Sequence, residues 1–352
     1  MRMKNLLVTG GCGFIGLNFI RYLFDETDFD GRIINFDALT YAANPMSLQD
    51  IATTYGDRYV FIKGDIQDRD AVASVFKTYA VDSVCHFAAE SHVDRSIARP
   101  DEFIQTNIIG TYNLLQAARD QGDQLIRFHH ISTDEVYGSL GAEGLFKETT
   151  SYKPNSPYSA SKASSDHLVR AYNKTYGLPV TTSNCSNNYG PYQFPEKLIP
   201  LIMLNALNGQ PLPIYGDGKQ VRDWLYVRDH CTAIWSIMQN GKDGEVYNVG
   251  GRNEMQNINV VHLMCKALDE MADALPDGAP RDSLITYVKD RPGHDRRYAI
   301  DCSKIERELG WAPKESFETG LAKTIHWYLD NAEWVRQVRT GEYQRWIEEH
   351  YA

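Results

Sequence analysis

No run of Lys or Arg interrupts this chain, and 46 acidic residues outnumber 36 basic ones, for a formal net charge of −10. That balance argues against nucleic acid or another polyanion as the partner, while leaving room for a basic pocket that takes one small anion. Cysteine is sparse: the six residues at 12, 85, 185, 231, 265 and 302 show no paired spacing, so neither a disulfide framework nor a zinc knuckle is indicated. Long hydrophobic runs are missing too. Met1-Arg2-Met3-Lys4 leads into a brief strand-like Asn5-Leu6-Leu7-Val8-Thr9, too short for a signal peptide or a membrane span, so a cytoplasmic protein with no membrane and no metal partner is expected. No fixed repeat or low-complexity tract is present.

What is present suffices for a sizeable core, since 43% of 352 residues are hydrophobic. Short apolar runs alternate with helix-length segments: Asn5 to Thr9, Arg32 to Phe36, Tyr59 to Lys63, Ser83 to Phe87, Arg127 to Ser132 and Pro179 to Asn184. Alternation of this kind predicts an α/β fold, a Rossmann-type doubly wound parallel sheet. Each run ends in Gly, Asp or Asn-rich sequence, which puts polar residues at the carboxyl ends of strands, where ligands bind in open α/β sheets. After Tyr189-Gly190-Pro191 the pattern turns to Pro/Gly-punctuated segments around helices such as Lys197 to Leu207 and Val260 to Met271, and the tail with Trp327, Trp334 and Trp346 reads as helical. The expected division is a cofactor-binding domain over 1–190, with returning segments from about 220–250, and a smaller C-terminal α/β substrate-binding domain over 191–352.

Gly10-Gly11-Cys12-Gly13-Phe14-Ile15-Gly16 follows a strand and opens an apparent helix from Leu17 to Phe24, so the glycines at 10, 13 and 16 can admit a pyrophosphate to a helix amino end. A second strand then ends in Asp37, at roughly the spacing of 20 residues that ribose recognition requires. An acid there accepts from ribose hydroxyls and repels a 2′-phosphate, and no Arg immediately follows it, so NAD is favoured over NADP. Asp65-Ile66, at the end of the third strand, suits an adenine contact, and Asp65 suits equally an N-cap for the helix from Arg69.

Tyr158 and Lys162 stand at i and i+4, on one face of a helix. An ammonium near the phenol, with a positive nicotinamide close by, favours phenolate and gives a base for a sugar hydroxyl. The adjacent acids of Thr133-Asp134-Glu135 add what simple dehydrogenation lacks, an acid and a second carboxylate for removing water. Asp134 would need a raised pKa, which a dry cleft and the Glu135 charge supply. His86, His129 and His130 sit in strands without Cys or acid at ligand spacing and are expected to be core. Cys12 occupies a variable slot between glycines, with a thiol expected within reach of alkylators.

Colinear matches over nearly the whole chain carry a family resemblance: Gly10 to Gly16, Ala88 to Asp94, Ser132 to Gly138, Tyr158 to Lys162, Asn184 to Gln193, Pro195 to Pro200 and Asp290 to Arg297. The chain resembles the extended short-chain dehydrogenase/reductase family, and within it the sugar-nucleotide 4,6-dehydratases. That resemblance implies dTDP-glucose as substrate, C4 oxidation with Tyr158 as base, C5 deprotonation by Glu135, protonation of the leaving C6 hydroxyl by Asp134 and hydride return to C6, with Thr133 bonded to the C4 oxygen. It implies an NAD site that also takes in Phe14, Ile15, Ala38, Leu39, Thr40, Phe87, Ala88, Ala89, Ser91, Thr106 and Asn188. For the substrate it implies Ser91, Asn187, Lys197, Leu198, Pro213, Ile214, Tyr215, Arg222, Asn257, Arg291 and His294, with the two arginines on the diphosphate. The product of that chemistry feeds deoxysugar synthesis of the rhamnose type.

Three other readings share the fold. A C4 epimerase would use Tyr158, Lys162 and hydride return but needs no acid pair, so Asp134-Glu135 speaks against it. A silent NAD-binding sensor would be expected to lack the Tyr, the Lys or the acids. A 4,6-dehydratase acting on another sugar nucleotide differs only in a few substrate-contacting residues. The resemblance also implies a homodimer through a four-helix bundle near Asp101 to Arg119 and Tyr158 to Tyr176, whose apolar stripes equally describe helices packed on their own sheet.

Overall fold

The computed structural model describes residues 2–338. Twelve strands are present among them: β1 Asn5–Thr9, β2 Arg32–Asp37, β3 Tyr59–Lys63, β4 Ser83–His86, β5 Arg127–Thr133, β6 Val180–Cys185, β7 Asn187–Tyr189, β8 Leu212–Tyr215, β9 Val221–Tyr226, β10 Val246–Val249, β11 Glu254–Gln256 and β12 Ile285–Val288. Seven form one parallel sheet in the order β10-β6-β5-β4-β1-β2-β3, the sequence of strands running one way from β1 to β3 and the other way from β4 onward. Strands buried on both faces need apolar side chains throughout, which is why they stood out as continuous runs in the sequence. Each expected run matches an observed strand with ends displaced by one residue at most.

The helices in the first half are α1 Phe14–Glu26, α2 Gln49–Tyr55, α3 Arg69–Tyr79, α4 Val93–Ala98, α5 Pro100–Phe103, α6 Thr111–Asp120 and α7 Pro157–Tyr176. Those in the second are α8 Leu198–Leu207, α9 Val227–Asn240, α10 Asn257–Met271, α11 Ser303–Leu309, α12 Phe317–Asp330 and α13 Ala332–Val338. On one face of the sheet α1 and α9 bury Leu17, Phe19, Ile20, Ile234 and Trp235 against β1 and β2. On the other, α3, α6 and α7 bury Val72, Phe76, Leu114, Leu115 and Val169. A separate core under α8, α10 and α12 gathers Ile202, Met203, Trp224, Val261 and Phe317. It sits beside two small sheets, β11-β9-β7 and β12-β8.

Between α5 and α6 the chain continues as a π-helical stretch, Ile104–Gly110, which no sequence pattern announced. Among the described residues no helix is long and apolar enough to cross a membrane. Trp327 and Trp334 fall in α12 and α13 as expected, and Trp346 lies outside the described residues.

Candidate active site

The carboxyl ends of β1, β2, β4, β5 and β6 open into one cavity of about 1040 Å³. Its floor is the β1–α1 turn. Gly10 has φ +71° and packs so closely on the next strand that a Cβ there would meet the Ala88 nitrogen at 2.7 Å. A Cβ on Gly16 would lie 2.5 Å from the Gly10 carbonyl oxygen. Both glycines are therefore demanded by close backbone approach. Helix α1 starts at Gly13 with neither a side-chain cap nor an acid in its first turn, so its amino end faces the cavity uncompensated.

Asp37 ends β2 buried, its Oδ2 accepting from the Cys12 amide at 2.9 Å and its Oδ1 from the Leu39 amide at 2.8 Å. These bonds orient both oxygens along the cleft and leave lone pairs for further donors. Burial raises its pKa, and the two backbone amides oppose that rise. Leu39 itself adopts φ +56° in the strap that crosses this end of the cavity. Asp65 lines the cavity and bonds the Gln67 amide, whereas the N-cap of α3 is Asp68, which accepts from Asp70 and Ala71. Of the two roles open for Asp65, the N-cap is thereby corrected: the helix starts too far downstream. Phe14, Ile15, Ala38, Thr40, Ile66, Phe87, Ala88, Ala89, Ser91, Thr106 and Asn188 all line the same cavity.

Helix α7 is fixed at its start by a reciprocal cap between Ser156 and Ser159 with Pro157 at the first position, and at its end by Gly177 in the left-handed region. This delivers Tyr158 and Lys162 to the cavity, both nearly buried. Lys162 Nζ donates to the Ile131 carbonyl at 2.8 Å. The expected depression of the Tyr158 pKa by Lys162 is not found: burial foremost, then the Glu135 charge, push the phenol well above its usual value, and a hydrogen bond with Thr133 is what pulls it down.

At the end of β5, Thr133 caps a tight 3-10 turn, its Oγ1 accepting from the Glu135 amide at 3.3 Å. Asp134 is 1% exposed, and its Oδ2 has no hydrogen-bond partner among the described residues. Burial and the Glu135 charge raise its pKa well above the ordinary range, so the group is held as a neutral acid. Glu135 is also raised by burial, but Arg291, Arg222 and Lys197 face it and oppose the rise. Two adjacent carboxyls are thus pushed apart in character, one toward proton donor and the other toward ionised base.

Beyond them the cavity is lined by Asn187, Lys197, Leu198, Pro213, Tyr215, Arg222, Asn257, Arg291 and His294. Arg291 Nη1 bonds Asp94 Oδ1 at 3.1 Å, and Tyr215 Oη donates to Asp94 Oδ2 at 3.3 Å. Arg222 donates to the carbonyls of Val221 and Asp295 and stacks 4.2 Å from the Tyr298 ring centre. His294 is pushed down to about 4, first by burial and then by Arg291, so its imidazole is neutral near pH 7. Ile214 is not brought to the cavity. It sits between Pro213 and Tyr215 on β8, and strand alternation turns it into the core with Leu212. Cys12 is buried with its thiol raised to about 12, which corrects the expected reach of alkylators. The motifs missed Asp94 and Glu196, although both stand inside matched segments; Tyr41, which donates to Glu196 at 2.8 Å, carried no signal of its own.

A doubly wound sheet whose glycine corner leads into a cleft with a buried Tyr–Lys pair defines a Rossmann-type dehydrogenase/reductase, here with an acid pair added. The chain belongs to the GDP-mannose 4,6 dehydratase family, whose model matches residues 7–324. It is 55% identical to dTDP-glucose 4,6-dehydratase 1 of Escherichia coli K12, over 98% of each chain. It is 56% identical to the dTDP-glucose 4,6-dehydratase of Neisseria meningitidis serogroup B, over 97% of this chain and 98% of the relative. A Streptomyces venezuelae dTDP-glucose 4,6-dehydratase solved with NAD bound superposes with a TM-score of 0.87 at 46% identity, covering 95% of this chain and 99% of that one.

Proposed function

We propose that the protein converts dTDP-glucose to dTDP-4-keto-6-deoxyglucose, as an NAD-dependent hydro-lyase serving deoxysugar synthesis. The observation that carries this reading is the Asp134–Glu135 pair, a sealed neutral acid beside a carboxylate facing three cations, in the cleft that holds Tyr158 and Lys162.

The cleft fits NAD. Gly10 and Gly16 let the β1–α1 turn close tightly on its own backbone, the α1 amino end suits a pyrophosphate, and the oriented Asp37 oxygens suit ribose hydroxyls. Phe14, Ile15, Ala38, Leu39, Thr40, Asp65, Ile66, Phe87, Ala88, Ala89, Ser91, Thr106 and Asn188 complete that site in this reading. Bound there, NAD supplies a reversible acceptor for the hydrogen on C4, which is given back at C6.

The chain's own residues handle the protons. Tyr158 takes one from the C4 hydroxyl, with Thr133 bonded to the same oxygen and the Lys162 charge behind it; the positive nicotinamide opposes the burial that raises the phenol. The resulting ketone acidifies C5, where Glu135 removes a proton while Asp134 protonates the departing C6 hydroxyl, which leaves as water. Glu135 then returns its proton to C5. One proton gained by Tyr158 and one lost by Asp134 balance over the cycle. Arg222, Arg291 and Lys197 serve the diphosphate, which requires Arg291 to exchange Asp94 for phosphate, and Pro213, Tyr215, Asn257 and His294 serve the base.

The same proposal places the enzyme in the cytoplasm, divides the chain into a cofactor domain over 1–190 with returns from about 220–250 and a substrate domain beyond, and pairs two copies through the helices around 101–119 and 158–176. Purified protein given dTDP-glucose without added NAD should yield the 4-keto product, read by its absorbance in alkali and by mass loss of one water. Appearance of dTDP-galactose with no loss of water would replace dehydration by C4 epimerisation.

A further inference from the structure

On α7, Tyr158, Lys162 and Asp166 stand at i, i+4 and i+8, one stripe turned toward the sheet. The mechanism above leaves Asp166 without a task, yet it is 5% exposed and one of its oxygens is held by two hydroxyls. Its Oδ2 accepts from Ser132 Oγ at 2.8 Å and from Tyr152 Oη at 2.9 Å. Its Oδ1 stands 3.1 Å from His130 Nε2, off the line of a hydrogen bond. One helical turn earlier, Lys162 grips the carbonyl of Ile131. Ile131 and Ser132 are consecutive on β5 and directly precede Thr133-Asp134-Glu135, so α7 holds this strand end twice, once by the ammonium and once by the carboxylate.

We propose that Asp166 is a positioning residue for the reaction: with Lys162 it clamps the end of β5 onto α7, and it is the counter-charge for the buried Lys162 ammonium. Other titratable groups around the pair do not take that place. His86 of β4 and His130 of β5 are driven well below their usual pKa, first by burial, and are neutral. Cys185 of β6 is raised to about 12, and Tyr137 and Tyr152, from the segment after β5, are raised as well, so all three keep their protons. His167, the next residue on α7, is exposed. Burial lowers the Lys162 pKa and Asp166 is the first influence that raises it; burial lifts Asp166 to about 6, which leaves it ionised at working pH. A buried ammonium deprived of its carboxylate sheds its proton more readily.

The clamp's effect on turnover rests on the dehydratase reading, whereas the charge pairing does not. Asp166→Asn keeps the shape and an acceptor oxygen while removing the charge. In protein carrying carbon-13 at lysine Cε, with the Lys162 signal assigned by Lys162→Arg, the ammonium titrates visibly whatever the protein turns over. The Lys162 midpoint is expected to fall by about one pH unit in Asp166→Asn. With dTDP-glucose the alkaline limb of kcat should move down with it by about one pH unit, so that at a given pH on that limb kcat falls about tenfold while KM stays within about twofold. Ser132→Ala, which cuts the clamp and keeps the charge, should leave the midpoint in place and lower kcat several-fold. An unmoved midpoint in Asp166→Asn overturns the charge pairing, and an unchanged kcat in Ser132→Ala overturns the clamp even should Asp166→Asn not fold. Wild-type protein inert toward dTDP-glucose overturns the dehydratase reading instead, with the lysine titration still deciding the pairing.

Discussion

Asp134 is enclosed to the point where its charge is costly, and this has a consequence for stability that runs opposite to its use. Its folded pKa lies well above the ordinary 3.8, so between that value and the raised one the native state binds a proton that the unfolded chain releases. Stability from this group is complete below the ordinary carboxylate pKa and is lost as pH rises through the folded one. Asp134→Asn does not titrate, so it should melt higher than wild type at alkaline pH, by roughly 1–3 °C, with the gap closing toward pH 4 in thermal scans. Kinetically, Asp134→Asn combined with Glu135→Gln should lower turnover by about 10²–10⁴-fold. Single-turnover absorbance should still report reduction of bound NAD on mixing with dTDP-glucose, because C4 oxidation uses neither acid; absence of that signal would mean the pair serves the first half-reaction too.

At the scale of elements, the turn from β1 into α1 depends on what cannot be accommodated there. Gly16→Ala sets a methyl 2.5 Å from the Gly10 carbonyl, a backbone atom that cannot step aside cheaply. The purified variant should carry less NAD than wild type, its affinity weakened roughly tenfold or more, as read by absorbance of the denatured protein and by titration calorimetry. The large sheet was legible because its strands are apolar on both faces and end in polar residues. The three-stranded sheet was not: β7 and β11 are three residues each, too short for a period to detect. Ile214 was misread because a family resemblance carries over a position without saying which face of a strand its side chain takes. The Tyr158 pKa was misread for a related reason, since i, i+4 spacing fixes a shared helix face but not that the Lys162 ammonium turns to Ile131. The acid pair, by contrast, was legible as a cleft feature, for the end of a parallel strand is where such residues must meet a ligand.

At the scale of the whole molecule, apolar side chains remain uncovered along the segment that carries α4 to α6. Ile104 is 48% exposed and Ile109 40%, and Tyr176 at the end of α7 is 52% exposed. Pairing of two copies through these helices would cover them, so light scattering of the purified protein should give twice the 40.0 kDa chain mass. Ile104→Asp with Ile109→Asp should shift the population toward monomer; a wild-type protein already monomeric at micromolar concentration would exclude this interface.

All six thiols are buried, five of them raised to about 12 and Cys85 raised well above its usual value. The folded protein should therefore react only slowly with iodoacetamide, and six modifications are expected only on molecules that have opened. Counting them by intact mass turns the cysteines into a clock for unfolding, one that runs alongside catalysis and needs no engineered label.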